Sequence, residues 1–200
     1  MDDSKIARLL EHPAIWRGRS TARLAVVPSG FAALDELLPG GGWPRGGLTE
    51  ILIPRFGSGE LSLILPALAA ASRANHARWC VWVAPPLMPF APGLVARGMV
   101  IERVAVVSAE RPLWALEQVL GSGACDAALA WAKNVQPRDI RRLQLAAERG
   151  RTLGVLFRPR RAGRESSAAA LRLSVEAQAA GLRVTLLKGR GARGVVELAT

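Results

Sequence analysis

From residue 26 onward the chain alternates short, continuously apolar runs with stretches of helical periodicity. GLTEILI (47–53), RWCVWVA (78–84), RVAVVSA (103–109) and TLGVLF (152–157) read as strands buried on both faces, the pattern of a parallel sheet covered by helices. ACDAALAWA (124–132) fits a further strand, although its alanines suit a helix as well. Between these runs lie helical segments. FAALDELL (31–38) ends at Pro39-Gly40-Gly41-Gly42, and LSLILPALAAASRA (61–74) is apolar nearly all round and reads as a buried helix kinked at Pro66. APPLMPFAPGLVARGM (84–99) is a Pro-rich loop with a short helix. PLWALEQVLG (112–121) has Pro at its start and Gly at its end. PRDIRRLQLAAERG (137–150) places Ile140, Leu143 and Ala147 on one face, with Arg141, Arg142, Gln144 and Glu148 largely opposite.

Strands alternating with helices predict a parallel sheet with right-handed crossovers. The end of the chain differs. LRLSVEA (171–177) alternates Leu171, Leu173 and Val175 with Arg172, Ser174 and Glu176; LRVTLLK and GVVEL follow, predicting an antiparallel meander at the sheet edge. Residues 1–25 form a separate unit, with a short helix carrying Ile6, Leu9 and Leu10 on one side, then Pro13 and a basic connector. Residues 26–200 form the core. The fold expected is α/β, a mostly parallel sheet flanked by helices, with C-terminal antiparallel strands.

Composition narrows the functional classes. No apolar run approaches the roughly 18 residues needed to cross a bilayer, and the acidic start MDDSK fits no secretory signal, so a soluble, cytoplasmic protein without membrane partners is expected. Cys80 and Cys125 sit in apolar segments and read as buried free thiols, and neither they nor His12 and His76 show metal-ligand spacing. The net charge is +11, and all but three of the 27 basic residues are arginine, the exceptions being Lys5, Lys133 and Lys188. Such a field attracts nucleic acid or acidic protein surfaces, although heavy arginine use also follows from GC-rich coding.

The chemistry to look for lies at 47–74, where a strand, a glycine-bearing loop and a buried helix form the layout that holds phosphates on backbone N–H groups. A working loop reads G-x-x-x-x-G-K-[ST]. Here the residues are Pro54-Arg55-Phe56-Gly57-Ser58-Gly59-Glu60-Leu61, and of the defining positions only Gly59 matches. Pro54 lacks an N–H, Glu60 puts an anion where a lysine meets the phosphates, and Leu61 has no hydroxyl for a metal ion. A unit charge about 4 Å from phosphate is worth about 4 kcal/mol at an effective dielectric of 20, so exchanging attraction for repulsion abolishes useful affinity. The strand ends that would carry a catalytic carboxylate and a metal ligand hold Ala84-Pro85-Pro86 and Trp131, and Asp126 lies at the wrong end of its strand. No cofactor and no ATP hydrolysis are expected; a site completed by Arg55 or by a neighbouring subunit is the competing possibility.

Pro28-Ser29-Gly30, Leu34-Asp35, the run GGGWPRGGLTEI and the degenerate loop resemble, in that order, the RecA recombinase core over about residues 26–188. Together with HPAIWRG (12–18), PGGGWPRGGLTE (39–50) and LLKGRG (186–191), they are similar to the ImuA/SulA-like family. That resemblance implies a non-catalytic adaptor in SOS-induced, error-prone translesion synthesis. Its implied partners are an inactive Y-family polymerase homologue, an error-prone C-family polymerase, and candidate contacts to RecA and DNA. It also implies an alternative, a cell-division inhibitor of the SulA type that binds the tubulin-like division protein. RecA-like proteins place mobile DNA-contacting loops near the position of Arg158, Arg160, Arg161 and Arg164, which read either as a phosphate-binding loop or as a solvated basic one. Lys188, Arg190 and Arg193 in the glycine-rich turn are further candidate contacts. Trp79, Trp82, Trp114 and Trp131 read as core, leaving Trp16 and Trp43 as plausible contact residues.

Overall fold

The computed structural model of the protein describes residues 25–57, 59–189 and 193–199. Four of the continuous apolar runs become inner strands of one eight-stranded sheet, β3 (Gly47–Ile53), β4 (Trp79–Val83), β6 (Cys125–Trp131) and β7 (Leu153–Pro159), whereas β5 (Val104–Val107) is its edge strand and only partly buried, not covered on both faces as its apolar run predicts. The alternating tail supplies β8 (Leu171–Gln178), β9 (Gly181–Lys188) and β10 (Gly194–Leu198), and a two-stranded antiparallel ribbon pairs β1 (Val26–Val27) with β2 (Trp43–Pro44). The order across the large sheet is β10-β9-β8-β3-β7-β6-β4-β5. It is parallel from β5 to β8 and antiparallel from β8 to β10. The expected meander is therefore present, and it joins through β8, which lies parallel to β3 with Ile51 opposite Leu173.

Helices cover both faces, as a sheet buried on both sides requires. On one face α1 (Ala32–Leu37), α2 (Glu60–Ser72) and α3 (Ala91–Ala96) pack on Ile51, Trp82, Leu129 and Val155. On the other, α4 (Pro112–Gly121) and α5 (Pro137–Gly150) pack on Leu48, Val81, Ala128 and Leu156. The alternation of these positions along each strand is the pleat of the sheet. The alanines of β6 thus belong to a central strand. α2 runs uninterrupted through Pro66. Its neighbour Gly30, at φ +89, explains the Pro28-Ser29-Gly30 turn, because a Cβ there would meet Pro66 Cβ at 2.5 Å.

α5 starts with a capping box in which Gln136 N–H donates to Asp139 Oδ2 at 3.1 Å. Gln144 then ties it to the sheet, its Oε1 accepting from Leu48 N–H and Ala170 N–H, both at 2.9 Å. Among the described residues no helix is long and apolar enough to cross a membrane. The N-terminal helix expected over residues 1–12, and Trp16, lie outside the described residues.

Candidate functional site

The degenerate loop sits where the sequence places it, between the C-terminal end of β3 and the start of α2. Gly57 and Gly59 hold left-handed φ angles of +79 and +87, which a glycine tolerates without strain, and Pro54, Gly57 and Gly59 are exposed. Leu61 is half-buried against the core. Glu60 differs from a simple missing lysine. Its side chain is buried and folds back on the loop, its Oε1 accepting from Gly57 N–H at 2.9 Å and from the Trp131 indole N–H at 3.2 Å. The protein's own carboxylate therefore takes up a loop amide of the kind that cradles phosphate elsewhere.

Trp131, at the end of β6, closes the floor. Its ring stacks on Phe157 with centroids 4.9 Å apart and is tilted against Trp82 at 6.0 Å. Asp126, at the opposite end of β6, is held by Arg45 at 2.5 Å and by Arg78 at 3.2 Å, a pairing that fixes the N-terminal edge of the sheet. Cys80 lies beneath Trp82, whose indole N–H is 3.3 Å from its sulfur. Burial pushes the Cys80 thiol up to about 12, and burial likewise raises Cys125. Thiol reagents at pH 8 are expected to leave Cys80 unmodified in the native protein and to label it on unfolding, read by mass spectrometry. Since the folded thiol holds its proton above the unfolded value of 9.0, stability falls as pH rises from 9 toward 12, by up to about 1.4 kcal/mol per pH unit from this group.

In the basic run that begins at the end of β7, Arg158 turns inward, whereas Arg160, Arg161 and Arg164 are exposed. Arg158 is 2% exposed, and its Nη1 donates to Glu50 Oε1 at 2.7 Å while Nη2 donates to Glu165 Oε2 at 2.8 Å. Glu50 is fully buried in the middle of β3. Its second oxygen accepts from Ser167 Oγ and lies 2.8 Å from Arg172 Nε, without hydrogen-bond geometry. Arg172 spends its other nitrogens on the carbonyls of Glu165 and Ala162, at 2.6 and 2.7 Å. Burial works against the Arg158 charge, but the hydrogen bonds and charges of Glu50 and Glu165 outweigh it and hold the guanidinium pKa above its usual value. A guanidinium enclosed in this way cannot reach a phosphate.

The residues that follow form a 3₁₀ turn, Arg160–Arg164, in which Arg160 pairs with Glu176 at 2.6 Å and Arg161 and Arg164 are exposed. Lys188 is exposed and donates to Ser167 O at 2.7 Å; Arg193 is exposed; Arg190 lies outside the described residues. The structure thus gathers Arg158, Arg160 and Lys188 around one ordered turn, each with an internal partner.

Three tryptophans change roles. Trp43 is fully buried and is no contact residue, because its strand β2 lies over the core. Trp79 and Trp114 are about half exposed, the first at the start of a strand and the second on the outer side of α4.

Sequence reasoning passed over the most conspicuous surface. Leaving β4, Ala84 takes a left-handed φ of +46 and its N–H bonds Val107 O at 2.8 Å, so the next segment departs from the corner formed by edge strand β5. There Leu87, Met88 and Phe90 are 74, 78 and 73% exposed, and Val95 on α3, the helix that follows, is half exposed. Three large apolar side chains between Pro85-Pro86, Pro89 and Pro92 were the available signal, since such a run has neither strand nor helix periodicity with which to bury itself.

Comparison with known proteins places this geometry in context. No protein-family model matches the chain. It is 31% identical over 110 residues to the cell division inhibitor SulA of Photorhabdus laumondii, covering 54% of this chain and 61% of that protein. It is 31% identical over 102 residues to the cell division inhibitor SulA of Edwardsiella piscicida, covering 50% and 60%. A shorter match, 49% over 54 residues, is to the RecA protein of Clavibacter michiganensis and covers 27% of this chain and 15% of that one. Among solved structures, SulA from Pseudomonas aeruginosa aligns over 58% of this chain and 99% of its own at 23% identity, with a TM-score of 0.48. The chain spans about three fifths of the length of the SulA relatives it matches. These likenesses overturn the translesion adaptor as the leading expectation. The better-matched curated relatives are division inhibitors, so of the two roles implied by the ImuA/SulA-like resemblance it is the SulA side to which this chain is similar.

Proposed function

We propose that the protein is a cell-division inhibitor of the SulA type, acting by direct binding to the tubulin-like division protein without hydrolysing nucleotide. The observation that carries this reading is the exposed corner of Leu87, Met88 and Phe90, taken together with the two SulA relatives. Contiguous exposed apolar side chains on a soluble fold mark interaction sites, and aromatic residues and methionine are enriched in the cores of protein interfaces. The fold is read as a RecA-like α/β fold turned to binding, in which the Glu60 carboxylate stands at the former phosphate loop. An inhibitor that works by occupying a surface has no need of the chemistry that loop once served.

The test is L87D/M88D/F90D. Because these side chains are exposed, the triple variant keeps the wild-type melting temperature. It is expected to lose at least about tenfold in its ability to suppress assembly of the purified division protein, followed by light scattering. Cells overproducing the wild type should filament, and cells overproducing the variant should divide. Wild-type protein that neither suppresses assembly nor causes filamentation would refute the reading.

A further inference from the structure

The outer face of α5 carries Arg138, Arg141, Arg142, Leu145 and Arg149 at helical spacing, all exposed, opposite the buried Ile140, Leu143, Ala146, Ala147 and Gly150. Beside it α4 leaves Trp114 half exposed, and the N-terminal halves of the two helices enclose a groove walled by Trp114, Leu113, Arg111 and Arg142. One wall is fixed in place. Arg142 grips Glu117 with Nη2 at 2.6 Å and Nε at 3.3 Å, while Asp139 is engaged at the helix cap. By contrast Arg111, Arg138 and Arg141 form no ion pair with any described residue. The surface therefore offers one uncommitted guanidinium, Arg111, in the groove wall beside half-exposed Trp114, and two more, Arg138 and Arg141, with half-exposed Leu145 on the adjoining outer face of α5.

We infer that this groove is a docking site for an acidic protein segment bearing one large apolar side chain, which enters beside Trp114 while its carboxylates meet Arg111, Arg138 and Arg141. Guanidinium forks match carboxylates in bidentate geometry, and Trp and Arg dominate the residues that carry binding energy at interfaces. One feature favours a peptide over nucleic acid. Leu145 sits within the arginine stripe, where a phosphate backbone has no use for it. The inference stands apart from the division-inhibitor reading, since it involves neither Leu87, Met88 nor Phe90.

The experiment uses the full chain and a fluorescent twelve-residue peptide of Asp and Glu with Leu-Phe at its centre, followed by anisotropy. An Ala-Ala version and a dT12 oligonucleotide serve as comparison probes. W114A and R138E/R141E are each expected to weaken the Leu-Phe peptide at least about tenfold. The Ala-Ala peptide should bind the wild type correspondingly less well. R183E/R193E, which reverses the same number of charges at the far sheet edge, should change affinity less than about threefold. Equal loss in R183E/R193E would reduce the attraction to the net charge of +11 and overturn the site. Tighter binding of dT12 than of the peptide, or no peptide binding at all, would overturn it as well.

Discussion

Glu50→Ala is expected to destabilise the protein by about 3–5 kcal/mol, because it strands two buried guanidinium groups at once. Arg158 and Arg172 are both nearly inaccessible, and the Glu50 carboxylate is the charge they share in the middle of the sheet. Solvent cannot replace it. Glu165 remains to Arg158, but it is half exposed and its attraction is partly screened. Glu50→Gln keeps an acceptor facing Arg158 Nη1 and is expected to cost less than Ala, the difference measuring how much of the effect is charge and how much is the lost hydrogen bond. Chemical denaturation should show a lower midpoint at unchanged slope, and thermal unfolding a drop of roughly 10 °C. An Ala variant within about 0.5 kcal/mol of wild type would mean that the network contributes nothing net. The triple replacement E50L/R158L/R172L is predicted to be far less destabilising than E50A, since removing a whole buried ion cluster spares its desolvation cost.

The same network marks the limit of what the sequence conveys. The alternation of Leu171, Leu173 and Val175 with Arg172 and Ser174 reads as a half-solvated edge strand, and the strand was correctly expected. Its polar face is nevertheless buried. β8 slots beside β3, and the turn Arg160–Arg164 folds over that side, so Arg172 lies inside. Glu50 gave the one local clue, an ionic residue in the centre of the otherwise apolar run GLTEILI, which demands a buried counter-charge that single-strand periodicity cannot locate. Arg158 and Arg172 are 108 and 122 residues away from it along the chain, a separation only the sheet order resolves. By contrast the inner strands and the helices flanking them were legible because their burial follows from local periodicity alone. Trp82 and Trp131 are core as expected, but Trp79 and Trp114 are not, because a strand's first residue and a helix's outer side do not differ in composition from their buried neighbours.

Trp131→Ala is the second large change expected, at about 3–5 kcal/mol, and it tests the expectation that the loop before α2 holds no nucleotide. The ring fills the space between Phe157 and Trp82, and its indole N–H is one of the two donors to Glu60. Removing it leaves a void against two aromatic faces and leaves a nearly inaccessible carboxylate with Gly57 N–H as its remaining donor. Phe at this position should restore much of the packing but not the hydrogen bond, and so fall between the two, by thermal unfolding. The larger cavity is not expected to admit a nucleotide. Glu60 still stands at the loop, and neither Pro54 nor Leu61 supplies what a phosphate or its metal ion needs. Calorimetric titration of Trp131→Ala with ATP and magnesium should therefore show no saturable heat. Saturable binding there would mean that Trp131 alone keeps nucleotide out and that the Glu60 carboxylate does not exclude it.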